Sequence, residues 1–364
     1  MIPIFEQTPA QLRDWFVQHG LPAYRAGQVR KWLFQKRAAN FDEMTDLPAS
    51  LRKQLAEDFQ IWTTSVVQCR RAADGSEKLL LELGDSQRIE CVLLRDDKEH
   101  CTACISTQVG CAMGCVFCAT GMDGVVRNLT AGEIVEQMLQ LQRLLSQTGG
   151  PSETKSPHPP GQTPERLSHV VVMGMGEPTL NLDALLTALD EATGRDGLGI
   201  GARRITISTV GLPDGIRRLA RDNCQYHLAV SLHAADDTLR NRLVPANRGF
   251  GVAAIMAAAD EYFELTGRRV TFEYVLLSGV NDQPEHARQL VRLLRGRPGL
   301  VNLIPFNPIP GLPYRTPSPA VTATFAKLLT EGGLNVAIRY RKGDRISAAC
   351  GQLRRSSGRD SGNA

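Results

Sequence analysis

Beyond residue 100, six short apolar segments alternate with amphipathic segments, and this alternation limits the possible folds more than any other feature of the sequence. The apolar segments have the length and composition of buried strands: Ala103–Ser106, His169–Met173, Ile205–Ser208, His227–Ser231, Val270–Leu276 and Val301–Pro305. The intervening segments Gly132–Leu145, Leu182–Ala192 and Val252–Leu265 have the apolar spacing of helices. A series of βα units forms a parallel sheet. We therefore predict an α/β fold that is either doubly wound or curled into a partial barrel.

The rest of the chain divides around this core. Apolar residues at helical spacing predict a small N-terminal helical domain over residues 1–75, and two extended runs predict a hairpin or linker over 76–100. The α/β core then covers 101–350, and 351–364 form a C-terminal tail. Within the core, 147–166 contain five prolines and almost no apolar residue, which predicts a flexible surface insertion.

Composition and charge exclude several classes of protein. The net charge of +4 is too small for a histone-like binder, and no run of about 18 apolar residues could span a membrane. The amino terminus lacks the basic start and apolar core of a secretory signal. Nine cysteines in such a chain predict a cytoplasmic protein, because cysteine clusters in a reducing compartment bind metals or serve catalysis more often than they form disulfides.

Three cysteines directly after the first core strand form a C-x3-C-x2-C motif. Cys111, Cys115 and Cys118 can hold three irons of a [4Fe–4S] cluster and leave the fourth iron without a protein ligand. An open iron is what a chelating cofactor requires. The alternative is structural zinc, because Cys101 and Cys104 form a second C-x2-C pair that ten residues separate from the pair Cys115 and Cys118.

Small and polar residues follow the later core strands. They lie in the segments Gly174–Pro178 (GMGEP), Ser208–Gly211 (STVG), Ser231–Ala234 (SLHA) and Pro305–Pro308 (PFNP). Because the carboxyl ends of parallel strands meet at one edge of the sheet, these side chains are expected to form a cup. Such a cup suits a ligand that carries an amino-acid part and a nucleoside.

Together, CAMGCVFC, GMGEP, STVG, SLHA and IPFNP resemble a radical S-adenosylmethionine (SAM) enzyme. More narrowly, the chain from about Pro22 to Leu353 resembles the RlmN/Cfr family of RNA adenine methyltransferases. The resemblance implies a partial (βα)6 TIM-like barrel and a [4Fe–4S] cluster held by Cys111, Cys115 and Cys118. It also implies that SAM contacts seven residues: Gly176, Glu177, Ser208, Ser231, Leu232, His233 and Asn307.

Three further matches to this family imply catalytic roles. Cys350, in GDRISAACGQL, matches the cysteine that accepts a methyl group from the first of two SAM molecules and then forms a covalent adduct with RNA. Glu90, in RIECVLL, matches the proton acceptor. Cys104, seven residues before the cysteine motif, matches the thiol that releases the methylated RNA and leaves a disulfide with Cys350.

The resemblance implies methylation at C2 of an adenosine in 23S rRNA, and also in tRNA beside the anticodon. It implies an electron donor such as flavodoxin or ferredoxin and no membrane partner. Arginine outnumbers lysine 34 to 8, and Arg354, Arg355 and Arg359 of the tail could hold phosphates.

Two alternatives stay open. One is methylation at C8, as in the Cfr branch, and the other is a zinc-stabilised RNA-binding module without catalysis. Activation of a partner protein by the same radical chemistry would leave Cys104 and Cys350 without a role. Cys101 matches no role in the family.

Overall fold

A ten-stranded sheet and the helices that cover it form most of the protein. The computed structural model describes residues 1–96, 100–147, 165–222, 224–339, 346 and 348–353. Most of the predicted insertion at 147–166 lies outside the described residues, as do the three arginines predicted to hold phosphates in the tail.

The strands of the described residues are β1 (Ile2–Pro3), β2 (Phe59–Gln60), β3 (Ser65–Arg71), β4 (Glu77–Glu82), β5 (Arg88–Arg95), β6 (Cys101–Cys104), β7 (Gln108–Gly110), β8 (Val125–Asn128), β9 (Leu167–Val172), β10 (Ile205–Thr209), β11 (His227–Ser231), β12 (Val270–Leu276), β13 (Gly299–Pro305) and β14 (Val336–Ile338). The α-helices are α1 (Pro9–Gln18), α2 (Arg25–Lys31), α3 (Ala49–Asp58), α4 (Ala131–Gln147), α5 (Leu182–Thr193), α6 (Pro213–Arg221), α7 (Asp237–Leu243), α8 (Gly251–Thr266), α9 (Pro284–Leu294) and α10 (Pro319–Glu331). In the described ranges, no helix combines the length and the apolar character that crossing a bilayer requires.

The six predicted core strands are confirmed and lie side by side in the order β6-β9-β10-β11-β12-β13. Every neighbouring pair among them is parallel. Helices cover the sheet because parallel strands need long connections, and the strands are therefore apolar over most of their length. A seventh parallel strand, β14, pairs with β13 at one edge.

The sheet curls into a partial barrel. The guanidinium of Arg339, directly after β14, lies 3.8 Å from the sulfur of Met173, directly after β9. Five strand-to-strand steps separate β14 from β9, and in a flat sheet they would span about 24 Å. The contact is possible only because the sheet closes towards itself, and the prediction of a partial barrel is confirmed.

The predicted hairpin at 76–100 consists of β4 and β5, which pair antiparallel with Leu80 opposite Glu90. This hairpin extends the main sheet, because β5 pairs antiparallel with β6 and places Val92 opposite Cys104. The prediction of helical structure up to residue 75 is wrong for Ser65–Arg71, which form the antiparallel edge strand β3. All seven side chains of β3 are exposed, so the strand has no apolar alternation by which sequence could reveal it.

The helices α1 to α3 pack around aromatic and aliphatic side chains near the amino terminus. Thr8 caps α1 by accepting the backbone N–H of Gln11, whose side chain accepts the Thr8 N–H in return. An ion pair between buried Arg30 of α2 and Glu191 of α5 fastens this helical part to the barrel.

Candidate active site

The cysteine motif lies on a loop between the two short strands β7 and β8. Strand pairing brings the ends of this loop together, and the Cys111 N–H donates to the Gly124 carbonyl at 3.0 Å. The loop is also fastened to the barrel, since the Val116 N–H donates to the carbonyl of Leu243 at the end of α7. The loop is therefore held at both its base and its tip.

The sulfurs of Cys111, Cys115 and Cys118 all line one cavity at the carboxyl ends of the barrel strands. Burial raises the pKa of Cys111 to about 12 and raises the pKa of Cys115 well above its usual value. Thiolates in such a place need a compensating positive charge, and bound iron supplies one. The donor set therefore fits three irons of an iron–sulfur cluster.

The four cysteines of the zinc alternative, Cys101, Cys104, Cys115 and Cys118, do not converge on one point. Among the described residues, no three His, Cys, Asp or Glu side chains converge on a point where one metal ion could sit. A zinc ion needs its thiolates at about 2.3 Å, whereas each cysteine of an iron–sulfur cluster binds a different iron. Cys101 is buried while Cys104 is only half-buried, because the alternation along β6 points the two side chains to opposite faces.

The glycines of GMGEP allow a close approach between neighbouring loops. A Cβ on Gly174 would lie 2.6 Å from the Ile105 carbonyl oxygen. Gly176 has a φ of +106°, and a Cβ there would lie 2.7 Å from the Cβ of Gln108. The turn after β9 therefore packs against the chain that leads into the cysteine loop, and only glycine fits at both positions.

Glu177 lines the cavity but also joins two loops. One carboxylate oxygen accepts the hydroxyl of Thr179 at 2.6 Å, and the other accepts the Val210 N–H at 2.9 Å. Burial raises the pKa of Glu177, and these hydrogen bonds oppose that effect. The carboxylate thus holds the turns after β9 and β10 in fixed positions at the cavity wall.

Ser208, Ser231 and His233 complete the polar wall of the cavity. The two serine hydroxyl oxygens lie 3.4 Å apart. His233 has a left-handed backbone with a φ of +60°, and its Nδ1 accepts the Val275 N–H at 3.1 Å, which leaves its proton on Nε2. Burial lowers the pKa of His233 to about 3, so the ring is a neutral donor that faces the cavity.

The structure brings six of the seven predicted SAM contacts to this cavity, and the exception is Leu232. Its side chain is fully buried in the apolar core and does not line the cavity. Asn307 does line it, and the buried Asn307 Oδ1 has no hydrogen-bond partner. Buried polar atoms are nearly always paired, so this oxygen is an available acceptor for a ligand in the cavity.

Cys350 lies between two cavities inside the barrel. The upper cavity, which contains the three motif cysteines, has a volume of about 920 Å³ including its open mouth. The lower cavity, of about 1680 Å³ including its open mouth, is lined by residues nearer the strand beginnings, among them Thr102, Thr206 and Thr271. Cys350 is part of both walls.

Hydrogen bonds hold the segment around Cys350 at this position. The Asn307 side-chain amide donates to the Cys350 carbonyl at 3.1 Å. The Gly351 carbonyl accepts the Ala119 N–H at 2.8 Å, directly after the last motif cysteine. The C-terminal segment is thus tied to the barrel and to the cysteine loop.

Cys104 and Glu90 lie outside the walls of these two cavities. Burial raises the pKa of Cys104 to about 11, and Cys104 is one of the groups that raise the pKa of Cys350. All nine cysteines are unbonded. Glu90 lies on the same face of the sheet as Cys104, with its carboxylate 2.7 Å from the ammonium of Lys78.

Sequence reasoning missed three charged side chains at this site. Fully buried Arg240 donates to the carbonyls of Ser231 and Leu232 and holds the loop after β11 in place. Glu273 and Arg339 both line the lower cavity. Nothing in the sequence marks these three, because an isolated charged residue in a strand or helix ordinarily faces solvent.

Comparison with known proteins identifies the family. The family model described as "Ribosomal RNA large subunit methyltransferase N-terminal domain" matches residues 2–61. A Rhodopirellula baltica protein named "Probable dual-specificity RNA methyltransferase RlmN" is 56% identical over 348 residues, which cover 96% of this chain and 89% of that protein. The chain belongs to the RlmN family. The resemblance stated from the motifs is therefore confirmed.

The similarity to RlmN proteins extends over both the helical part and the barrel. The Enterococcus faecalis protein of the same name is 44% identical, over 96% of this chain and 95% of its own length. A solved structure described as a radical SAM methyltransferase from Sphaerobacter thermophilus superposes with a TM-score of 0.90 at 43% identity. It covers 97% of this chain and 99% of that one, so the RlmN family member described here has the same overall architecture.

Proposed function

We propose that this protein is a radical SAM methyltransferase that methylates C2 of an adenosine in 23S rRNA, and of an adenosine beside the anticodon in tRNA. The names of its RlmN relatives support an RNA substrate, and the solved relative supports radical SAM chemistry. The observation that carries the proposal is the position of Cys350 in the walls of both cavities. A carrier thiol there can meet a methyl donor above and a nucleotide below.

The chemistry of adenine explains why a carrier thiol is needed. C2 is an electrophilic carbon that bears a hydrogen, so it does not attack the methyl group of SAM as a nucleophile. A thiolate does so by simple displacement, because thiolates are strong nucleophiles. Cys350 thus takes the methyl group of a first SAM molecule, and a second SAM molecule is consumed in activating that methyl group for addition to the base.

The upper cavity would hold the cofactor and the methyl donor. Cys111, Cys115 and Cys118 would bind three irons of a [4Fe–4S] cluster, and the bound cluster supplies the electron for reductive cleavage of SAM. An external donor such as flavodoxin or ferredoxin would provide that electron. Asn307 Oδ1, without a partner in the wall, and the Ser208 and Ser231 hydroxyls would bind the polar groups of SAM.

The lower cavity would admit the target base. An adenosine must leave its stack to reach Cys350, so a loop or bulged nucleotide is required. Arg339 in its wall carries a charge suited to phosphate.

Glu90 and Cys104 would finish the reaction. Glu90 would accept the ring proton from the covalent adduct, and its ion pair with Lys78 holds the carboxylate in a fixed position. Cys104 would then attack the sulfur of Cys350 and release methylated RNA with formation of a disulfide.

The test is product analysis with reconstituted protein, a reductant, SAM and an RNA fragment that contains the target adenosine. Nucleosides are then separated and identified by mass spectrometry. We expect 2-methyladenosine, whereas 8-methyladenosine would assign the chain to Cfr-like chemistry. Iron and acid-labile sulfide are measured in the same anaerobic preparation, and zinc without sulfide would overturn the proposal in favour of an RNA-binding module.

A further inference from the structure

A buried carboxylate lines the same two cavities as Cys350. Glu273 lies in the middle of β12 and is only 4% exposed. It lines both the upper and the lower cavity, as Cys350 does. The Ser208 hydroxyl lies 3.5 Å from a Glu273 carboxylate oxygen, and the Asn302 side chain forms a second hydrogen bond to it. Glu273 is thus held at the boundary where a methyl group would pass from one cavity to the other.

The charges around Cys350 keep its thiol protonated. The Cys350 residue is exposed overall, but desolvation of its thiol raises the pKa of Cys350 to about 12, and among nearby charges Glu273 contributes most to that increase. Cys104 and Cys118 act in the same direction, and Arg339 opposes them. At pH 7 such a thiol is ionised in only about one molecule in 100,000. Methyl transfer to Cys350 therefore needs a nearby group that accepts the thiol proton.

Glu273 is the carboxylate best placed to be that base. Burial raises the pKa of Glu273, which makes the carboxylate a stronger proton acceptor, and the Arg339 charge limits the increase. Glu177, the other carboxylate in the upper wall, already accepts hydrogen bonds with both oxygens. Glu90 lines neither cavity.

We propose that Glu273 accepts the proton of the Cys350 thiol during methyl transfer from SAM. The S–H bond breaks and its proton moves to a Glu273 oxygen. The thiolate sulfur forms a bond to the methyl carbon, and the sulfonium C–S bond breaks with its electron pair remaining on S-adenosylhomocysteine. No oxidant or reductant is needed, and Glu273 later returns the proton to solvent. This role rests on the proposed function, in which Cys350 carries the methyl group.

The first experiment uses the unsubstituted protein. Apoprotein with unmethylated Cys350 is loaded with cluster and mixed with SAM that carries a deuterated methyl group, without RNA. Methylation is followed on the tryptic peptide 346–354, whose sole cysteine is Cys350. The rate should reach a plateau once the Glu273 carboxylate is ionised, and so stay flat over the upper part of the range from pH 6 to pH 9. A rate that rises about tenfold per pH unit would show that hydroxide removes the proton, and would overturn the proposal.

The second experiment compares E273Q with E273D. The glutamine variant should methylate Cys350 at least about tenfold more slowly at pH 7 and should gain the steep pH dependence. The aspartate variant keeps a carboxylate and should restore the flat profile. E136Q is the matched control, since Glu136 is a fully buried carboxylate held by Thr63 and Thr64 outside both cavities, and it should behave as the unsubstituted protein does.

A third measurement separates a chemical role from a structural one and needs no cluster. Iodoacetamide alkylation of Cys350 in the apoprotein, read on the same peptide, should be slower in E273Q than in the unsubstituted protein at pH 7, and this deficit should shrink towards pH 9 because hydroxide then removes the thiol proton. A deficit that is equal at pH 7 and pH 9 would mean that the site is merely distorted, and the proposal would fail. If E273Q does not fold, the pH profile of the unsubstituted protein still decides.

The outcomes also separate this inference from the proposed function. If the unsubstituted protein never gains a methyl group on Cys350, the proposed function fails. If it does, and E273Q keeps both the rate and the pH profile, only the role of Glu273 is refuted.

Discussion

The ammonium of Lys78 lies 2.7 Å from a carboxylate oxygen of Glu90, and both side chains are more than nine-tenths buried. The two residues lie on the paired strands β4 and β5, on the face of the sheet that also carries Cys104. A buried ion pair is costly to break, because the remaining charge cannot be solvated. Lys78 thus fixes the residue that family resemblance assigns as the proton acceptor.

Removing one partner of this pair should destabilise the protein strongly. We expect K78M to lower the free energy of unfolding by about 3–5 kcal/mol, measured by denaturant unfolding of the apoprotein. The double variant K78M/E90L removes both charges and should lose less. The exposed pair Lys53–Glu57 provides the control, since K53M should change stability by less than about 1 kcal/mol. Equal losses in K78M and K53M would contradict a buried pair.

The three motif cysteines should each be necessary for the cluster. We expect C111A, C115A and C118A to bind no intact [4Fe–4S] cluster and to produce no 5′-deoxyadenosine, because each thiolate holds one iron. Iron, sulfide and nucleoside analysis after anaerobic reconstitution provides the measurement. C69A is the control, because Cys69 lies on the exposed edge strand β3 and should retain full cluster content. Normal SAM cleavage by any of the three variants would rule out the ligand assignment.

Loss of Cys350 should separate SAM cleavage from RNA methylation. We expect C350A to cleave SAM when reduced, since the cluster ligands remain, but to yield no methyladenosine because no thiol carries the methyl group. Both products can be quantified by mass spectrometry in one reaction. Any methyladenosine from C350A would refute the carrier scheme.

Loss of Cys104 should trap the covalent intermediate. Every step up to addition to the adenine ring needs only Cys350, the cluster and SAM. Release of the RNA needs a thiol that attacks the sulfur of Cys350. We therefore expect C104A to purify with RNA attached to peptide 346–354 in strong denaturant, and the double variant C104A/C350A to carry none. A C104A protein that is free of RNA and still turns over would place the resolving thiol elsewhere.

Gly176 should tolerate no side chain. Its φ is +106°, and the Cβ of an alanine at this position would lie 2.7 Å from the Cβ of Gln108. We therefore expect G176A to lower the free energy of unfolding by about 1–3 kcal/mol. Gly201 is the control, because it has a φ of −60° and nothing within 4 Å of its Cβ position, so G201A should stay within about 1 kcal/mol of the unsubstituted protein. Melting temperatures that shift equally in both variants would contradict the close approach.

Much of the barrel could be predicted because its strands are buried on both faces. The predicted Ile205–Ser208 and His227–Ser231 correspond to β10 and β11 within one residue. The edge strand β3 and the short pair β7–β8 were not predictable in this way. They are too exposed or too short for an apolar pattern to distinguish them from loops.

The sequence by itself determined the βα order and the cysteine loop, and its motifs identified the family, because these features depend on local spacing. Only the tertiary structure decided what surrounds Cys350. Closure of the sheet brings Glu273 of β12 and Arg339 after β14 to the same cavity wall as the C-terminal cysteine. It also sends the Leu232 side chain into the core, although its neighbours Ser231 and His233 face the cavity. Contacts between residues far apart in the chain have no local periodicity, so no pattern in the sequence records them.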